Sequence, residues 1–117
     1  MGDEHAPRVL IGGFSAIAGL GLRELLVEFG FDMVVERGEV EALMGAVSEL
    51  RPDSILLDLD AEGSLELAER VSRSLPHVKL ILCSSEAPVM RVFPAFGFGE
   101  SRLAALTPAS LVAEIKA

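Results

Sequence analysis

RVLIGGFSAIAGLGLREL, residues 8–25, is the stretch whose reading decides the fold. Arg8–Ile11 is a short apolar run, the pattern of a strand buried on both faces. Gly12-Gly13-Phe14-Ser15 reads as a turn. From Ser15 the pattern changes: Ile17, Leu20, Leu22, Leu25, Leu26 and Phe29 recur at helical spacing, and Gly30 is a stop signal. Gly19 and Gly21 weaken the first half of that helix. In α/β folds, ligands gather at turns like Gly12–Ser15, at the carboxyl ends of the strands. This turn carries no carboxylate, histidine or lysine.

The alternation continues outward. Met33-Val34-Val35 predicts a second strand, closed by Gly38, and Val40, Leu43, Met44, Val47 and Leu50 mark a second amphipathic helix ending before Arg51-Pro52-Asp53. Ser54–Leu59 is a strongly apolar strand closing on Asp58 and Asp60. Leu65, Leu67, Ala68, Val71 and Leu75 give a third helix stopped by Pro76, and Val78–Cys83 a fourth strand. In EAPVMRVFPAFGFG, residues 86–99, Pro88 and Pro94 argue against a full helix, so one turn around Val89–Phe93 is expected. Arg102–Leu106 predicts a short fifth strand. Thr107-Pro108 then sets an N-cap and a proline at the first position of a last helix, with Leu111, Val112 and Ile115 inward. Apolar strands alternating with amphipathic helices imply a parallel sheet covered on both faces. Residues 1–7 are expected to be a flexible tail and 8–117 one domain.

Composition bounds the function. Half of the 117 residues are hydrophobic, with neither Tyr nor Trp, so a core of Leu, Val, Ile and Ala is expected. The net charge of −8 argues against a nucleic-acid or anionic-membrane surface, which needs clustered Lys and Arg. A single cysteine, Cys83, allows no internal disulfide and reads as a small core residue of a cytoplasmic protein. His5 in the tail and His77 before a strand lack the company that a metal site or catalytic triad needs. The glycines at 12–21 form neither a P-loop nor a dinucleotide fingerprint. Close packing of helix on sheet explains them, with a small anion at the helix N-terminus as the other reading.

At this point the chain resembles the receiver domains of bacterial two-component response regulators, most closely those attached to helix-turn-helix output domains. The residues that carry the resemblance are VLIGGFSAIAGLGLRELL (9–26), LRPDSILLDLDAEGSLELAERV (50–71), LPHVKLILCSS (75–85) and LTPASLVAEI (106–115). It implies a flavodoxin-like (βα)5 fold, with a five-stranded parallel sheet, helices on both faces and a shortened or irregular fourth helix. It places Asp58 at the phospho-acceptor position and Ser84 at the switch position, whose hydroxyl binds the phosphoryl group. The family's two metal-binding acids fall on Gly13 and Phe14, and its lysine on Ala104, or on Ala105 if the register slips by one. Phe14 brings an apolar ring where an ion wants oxygen ligands. Phosphoryl transfer needs the charge on the transferring oxygens neutralised. The resemblance therefore implies a degenerate receiver, in which Asp58 is a remnant, Asp60 and Glu62 are turn residues on a solvated loop, and Ser84 and Ser85 satisfy backbone groups.

The expected function is regulatory protein binding without catalysis or cofactor, through a protein partner or a homodimer. Phe93, Phe96 and Phe98 are the candidate surface, since a poorly helical segment leaves them little cover. Filling the space of a lost helix is the competing reading. Two alternatives stand beside this one. The first is a working phospho-receiver using Asp58 with Mg²⁺. The second is a small-molecule or anion sensor at the carboxyl ends of the strands.

Overall fold

A computed structural model describes residues 7–31, 33–37, 45 and 47–117. Its elements are β1 (Arg8–Gly12), α1 (Ala16–Glu28), β2 (Met33–Arg37), β3 (Ser54–Asp58), α2 (Ser64–Ser74), β4 (Lys79–Cys83), β5 (Val89–Phe93), β6 (Arg102–Ala105) and α3 (Pro108–Lys116). Residues 45 and 47–50 are helical and belong to the expected second helix, whose Val40, Leu43 and Met44 lie outside the described residues. Tail residues 1–6, with His5, and Gly38 lie outside them too.

The sheet order is β2-β1-β3-β4-β5-β6. β1 pairs in parallel with β2 and β3, and β3 with β4. The chain leaves β1 for one edge and returns on its other side. Strand order therefore reverses between β1 and β3, which opens a crevice between the turns that follow them.

The far side of the sheet corrects the expectation of five parallel strands. Val89–Phe93 is no remnant of a fourth helix; it is a strand antiparallel to β4, and β6 is antiparallel to it in turn. Two physical reasons explain this. The five residues Ser84–Pro88 are too few for a parallel crossover, which takes about a dozen or more. Val-Met-Arg-Val-Phe alternates its side chains between two faces and is rich in strand formers. β6, the strand expected beside β4, runs in the same sense as β4 but one place further out.

Each sheet face has its own core. Val9, Ile11, Leu56, Ile81, Cys83, Met90 and Val92 meet Leu26 of α1 and Leu111, Val112 and Ile115 of α3. Leu10, Ile55, Leu57, Leu80, Leu82 and Phe93 meet Val47 and the Leu67, Ala68 and Val71 face of α2. Each fully buried Leu, Ile, Val or Phe contributes about 1.5–3 kcal/mol relative to exposure.

Side chains cap the first turns of α1 and α3. Ser15 accepts the Ala18 N–H at 3.2 Å and starts α1. Thr107 caps α3 with Pro108 in its first turn, as the sequence predicts, and Ser110 completes a reciprocal capping box that the sequence reading did not include. Lys79 Nζ closes the other end of α3, donating to the carbonyl of Glu114 at 2.5 Å. In α1, however, only Leu26 and Gly19 are buried, while Ile17 and Leu20 are exposed, as is Phe29 just past its end. Apolar residues lie on more than one side of this helix, and the side with Ala18, Gly19, Leu22 and Leu26 meets the sheet. Gly19 is buried on that side, whereas a Cβ on Gly21 would meet nothing within 4 Å.

Candidate functional site

β3 delivers Asp58, half-buried, to the crevice. Its Oδ1 accepts the Asp60 N–H at 2.9 Å, and its carbonyl accepts the Ala61 N–H at 3.2 Å. This is the local turn that an Asp side chain makes with its own backbone two residues on. The turn throws Asp60 towards the end of β4. There Asp60 Oδ2 accepts the Ser85 N–H at 2.9 Å, the Ser84 hydroxyl at 3.0 Å and the Ser85 hydroxyl at 3.3 Å. Asp60 is thus no idle turn residue: its carboxylate joins the loop after β3 to the loop after β4.

Ser84 is fully engaged. A hydroxyl has one proton to donate and two lone pairs. Its proton goes to Asp60, and its oxygen accepts the N–H groups of Glu86 at 3.0 Å and Ala87 at 3.1 Å. These donors hold the Asp60 carboxyl below its ordinary pKa. The Ser85 N–H contributes most and the Ser84 hydroxyl next, against a smaller opposing effect of desolvation.

The turn after β1 contributes differently. Gly13 sits at φ 79°, a left-handed conformation that glycine adopts without strain. The Phe14 ring is drawn into the α1/α3 core and is only 9% exposed, so the expectation that it would stand in the place of an ion needs correcting. An apolar ring gains more by joining that core than by facing a polar crevice. Among the described residues the crevice is poorly made for a Mg²⁺ ion: Gly13 and Phe14 offer no carboxylate, Asp60 Oδ2 already has three donors, and no three His, Cys, Asp or Glu side chains are grouped to hold a metal.

Ala104 lies on the same transverse row as Asp58. The register runs Asp58–Cys83, Cys83–Met90 and Met90–Ala104. Three strand spacings of about 4.8 Å put Ala104 roughly 14 Å from Asp58, where direct pairing of β6 with β4 would give roughly 10 Å. The inserted strand has moved that position outward. Cys83, between them, is buried, and desolvation, assisted by the Asp58 charge, pushes its thiol up to about 12. It is a core residue and a poor nucleophile.

The three candidate phenylalanines separate. Phe93 is completely buried in the α2-side core, because it is an inward residue of a strand, and it leaves the candidate surface. Phe96 and Phe98 are 65% and 57% exposed, edge-to-face with centroids 6.5 Å apart. Both have left-handed backbones, at φ 62° and 51°, which is unusual for bulky residues. The loop is anchored on α2 and the turn after it: the Phe96 N–H donates to the Pro76 carbonyl at 2.6 Å, and the Gly99 N–H to Ser72 Oγ at 2.8 Å. The Arg73 guanidinium lies so close to Gly99 that a Cβ there would stand 2.7 Å from Nε. Arg91 donates to Ser101 at 2.9 Å, and Leu103, opposite Arg91, is 58% exposed.

Asp58 and Ser84 are legible in the sequence as strand-end residues, but the Asp60 bridge between their loops is not. Its only signal was an Asp-x-Asp at one strand end facing a Ser-Ser pair at the next.

No family model and no curated protein matches the chain. Among solved structures it is similar to the isolated REC domain of RcsB from Salmonella enterica serovar Typhimurium in the presence of phosphomimetic BeF3⁻. The TM-score is 0.61 and the identity 22%, over 72% of this chain and 66% of that chain, just under two thirds of its length. Among the described residues, no helix is long and apolar enough to cross a membrane. The likeness, added to the strand order around the crevice, gives the chain a flavodoxin-like receiver fold, carrying one extra antiparallel strand.

Proposed function

We propose that this chain is a cytoplasmic signalling domain of receiver type that acts by binding protein, and that conventional Mg²⁺-dependent phosphorylation of Asp58 does not switch it. The observation that carries this reading is the Asp60 carboxylate on Ser84 and Ser85. A phosphoryl group on Asp58 would need the Ser84 hydroxyl as a partner, and an internal anion already holds it. The domain is thereby kept in one arrangement by its own side chain. The outward shift of Ala104 and the acid-free turn at Gly13 and Phe14 support the same reading, since neither brings a charge that would stabilise phosphoryl transfer.

Phe96, Phe98 and Leu103 form the binding surface in this reading. Exposed aromatics beside arginines are the composition of interface hot spots. Two bulky residues held in left-handed conformations cost stability, which favours a role outside the fold. Neither Arg73 nor Arg91 has an acidic partner among the described residues. The complementary occupant therefore brings apolar side chains and carboxylates, from a partner protein or from a second copy of the chain.

The test is incubation with acetyl phosphate and Mg²⁺ followed by intact-mass measurement. The mass is expected to stay unchanged. A stoichiometric phosphoryl adduct that disappears in Asp58→Asn would replace this reading with that of a working phospho-receiver.

A further inference from the structure

A cleft of about 560 Å³ opens at the amino-terminal end of the parallel strands, the end opposite Asp58. It lies between the helical residues 47–50, the end of α2 and the segment leading into β4. Its floor is apolar: Val47 and Val78 are buried, and Leu75 is half-buried. Its exposed polar groups include Arg51 and His77. The volume is within the range of about 300–1,000 Å³ usual for small-molecule sites, and an apolar floor with a few polar groups is their usual lining.

Arg51 is the most informative residue here. Its N–H donates to the Val47 carbonyl at 3.0 Å, so it stands just past a helical turn, and its φ is 49°. Glycine is the residue that most often fills such a position, because it adopts a left-handed backbone without strain. An arginine there is worse for the backbone than a glycine would be. Among the described residues, neither Arg51 nor His77 has a side-chain hydrogen bond or an ion pair. Two unpaired nitrogen donors thus flank an apolar hollow on a chain of net charge −8.

We propose that this cleft binds a small amphipathic anion, an aryl or short alkyl carboxylate. Arg51 and His77 take the carboxylate, and Val47, Leu75 and Val78 take the apolar body. A guanidinium can receive both oxygens of a carboxylate at once, and an imidazole offers an N–H donor in either charge state. The site is separate from the Asp58 crevice, and its occupancy does not depend on the protein-binding reading above.

The probe is 4-phenylbutyrate, titrated into ¹⁵N-labelled protein, with 4-phenylbutyramide and 4-phenylbutylamine as its neutral and cationic counterparts. Saturable shifts are expected at the amides of Val47, Ser48, Leu75, His77 and Val78, with the carboxylate binding at least about tenfold tighter than the amide and the amine not at all. Arg51→Gly is expected to weaken carboxylate binding by about tenfold or more while leaving the urea midpoint unchanged or higher, because glycine suits that backbone. His77→Ala is expected to weaken it as well. Any one of three results would overturn the proposal: no saturable shift in the cleft, equal binding of acid and amide, or normal binding by Arg51→Gly.

Discussion

Asp60 and Ser84 form a closed hydrogen-bonding unit at the level of single residues. The serine donates its one proton to the carboxylate and receives two backbone N–H groups, so it has no capacity left. This has a consequence for pH. The Asp60 pKa is lower in the folded state than in the unfolded state, so its contribution to stability is present above the ordinary aspartate value and is lost as pH falls through the lowered one. At neutral pH the wild type is expected to show a higher urea midpoint than Asp60→Asn, and the gap is expected to close as pH falls below the ordinary aspartate range. A gap that stayed constant through that range would separate the Asp60 charge from the bridge. The sequence made Asp58 and Ser84 legible because both stand at strand ends, which hydrophobic runs locate well. The direction of Asp60 was not legible. It depends on one hydrogen bond from its own N–H to Asp58 Oδ1, which turns the loop towards β4.

At the level of elements, β5 decides how this domain differs from the fold that it resembles. The prolines at 88 and 94 were legible as helix breakers, and no helix forms between them. What they flank was not legible, because the choice of a strand rests on the shortness of Ser84–Pro88 and on a vacant edge of β4, and the edge is a property of the assembled sheet. Helix α1 holds the same lesson: its apolar residues point several ways, and only the sheet selects Ala18, Leu22 and Leu26. β5 also separates stability from binding. Phe93→Ala is expected to cost about 3–5 kcal/mol in urea denaturation, since it empties a fully buried site. Phe96→Ala and Phe98→Ala are expected to stay within about 0.5 kcal/mol of wild type, because both rings are exposed. Equal losses at all three positions would mean that the two loop rings are part of the core, and the proposed surface would be withdrawn.

Across the whole molecule, the two ends of the sheet carry different chemistry. The carboxyl ends of the parallel strands hold an anion that the protein supplies itself, and the amino ends hold the cleft at Arg51 and His77. The extra strand widens the sheet, carries the Ala104 position out of reach of Asp58, and leaves Phe96, Phe98 and Leu103 uncovered. One rearrangement thus bears on both halves of the proposed function, the loss of phosphate switching and the gain of a binding surface. In the proposed function, the Asp60 carboxylate already does at Ser84 and Ser85 what a phosphoryl group on Asp58 would do. The amide resonances of Ser84 and Ser85 test this directly, followed by ¹⁵N NMR as Mg²⁺ and BeF3⁻ are added. Both resonances are expected to stay in place on addition, and to move in Asp60→Asn without any addition. Saturable shifts of both amides in the wild type, absent in Asp58→Asn, would contradict it.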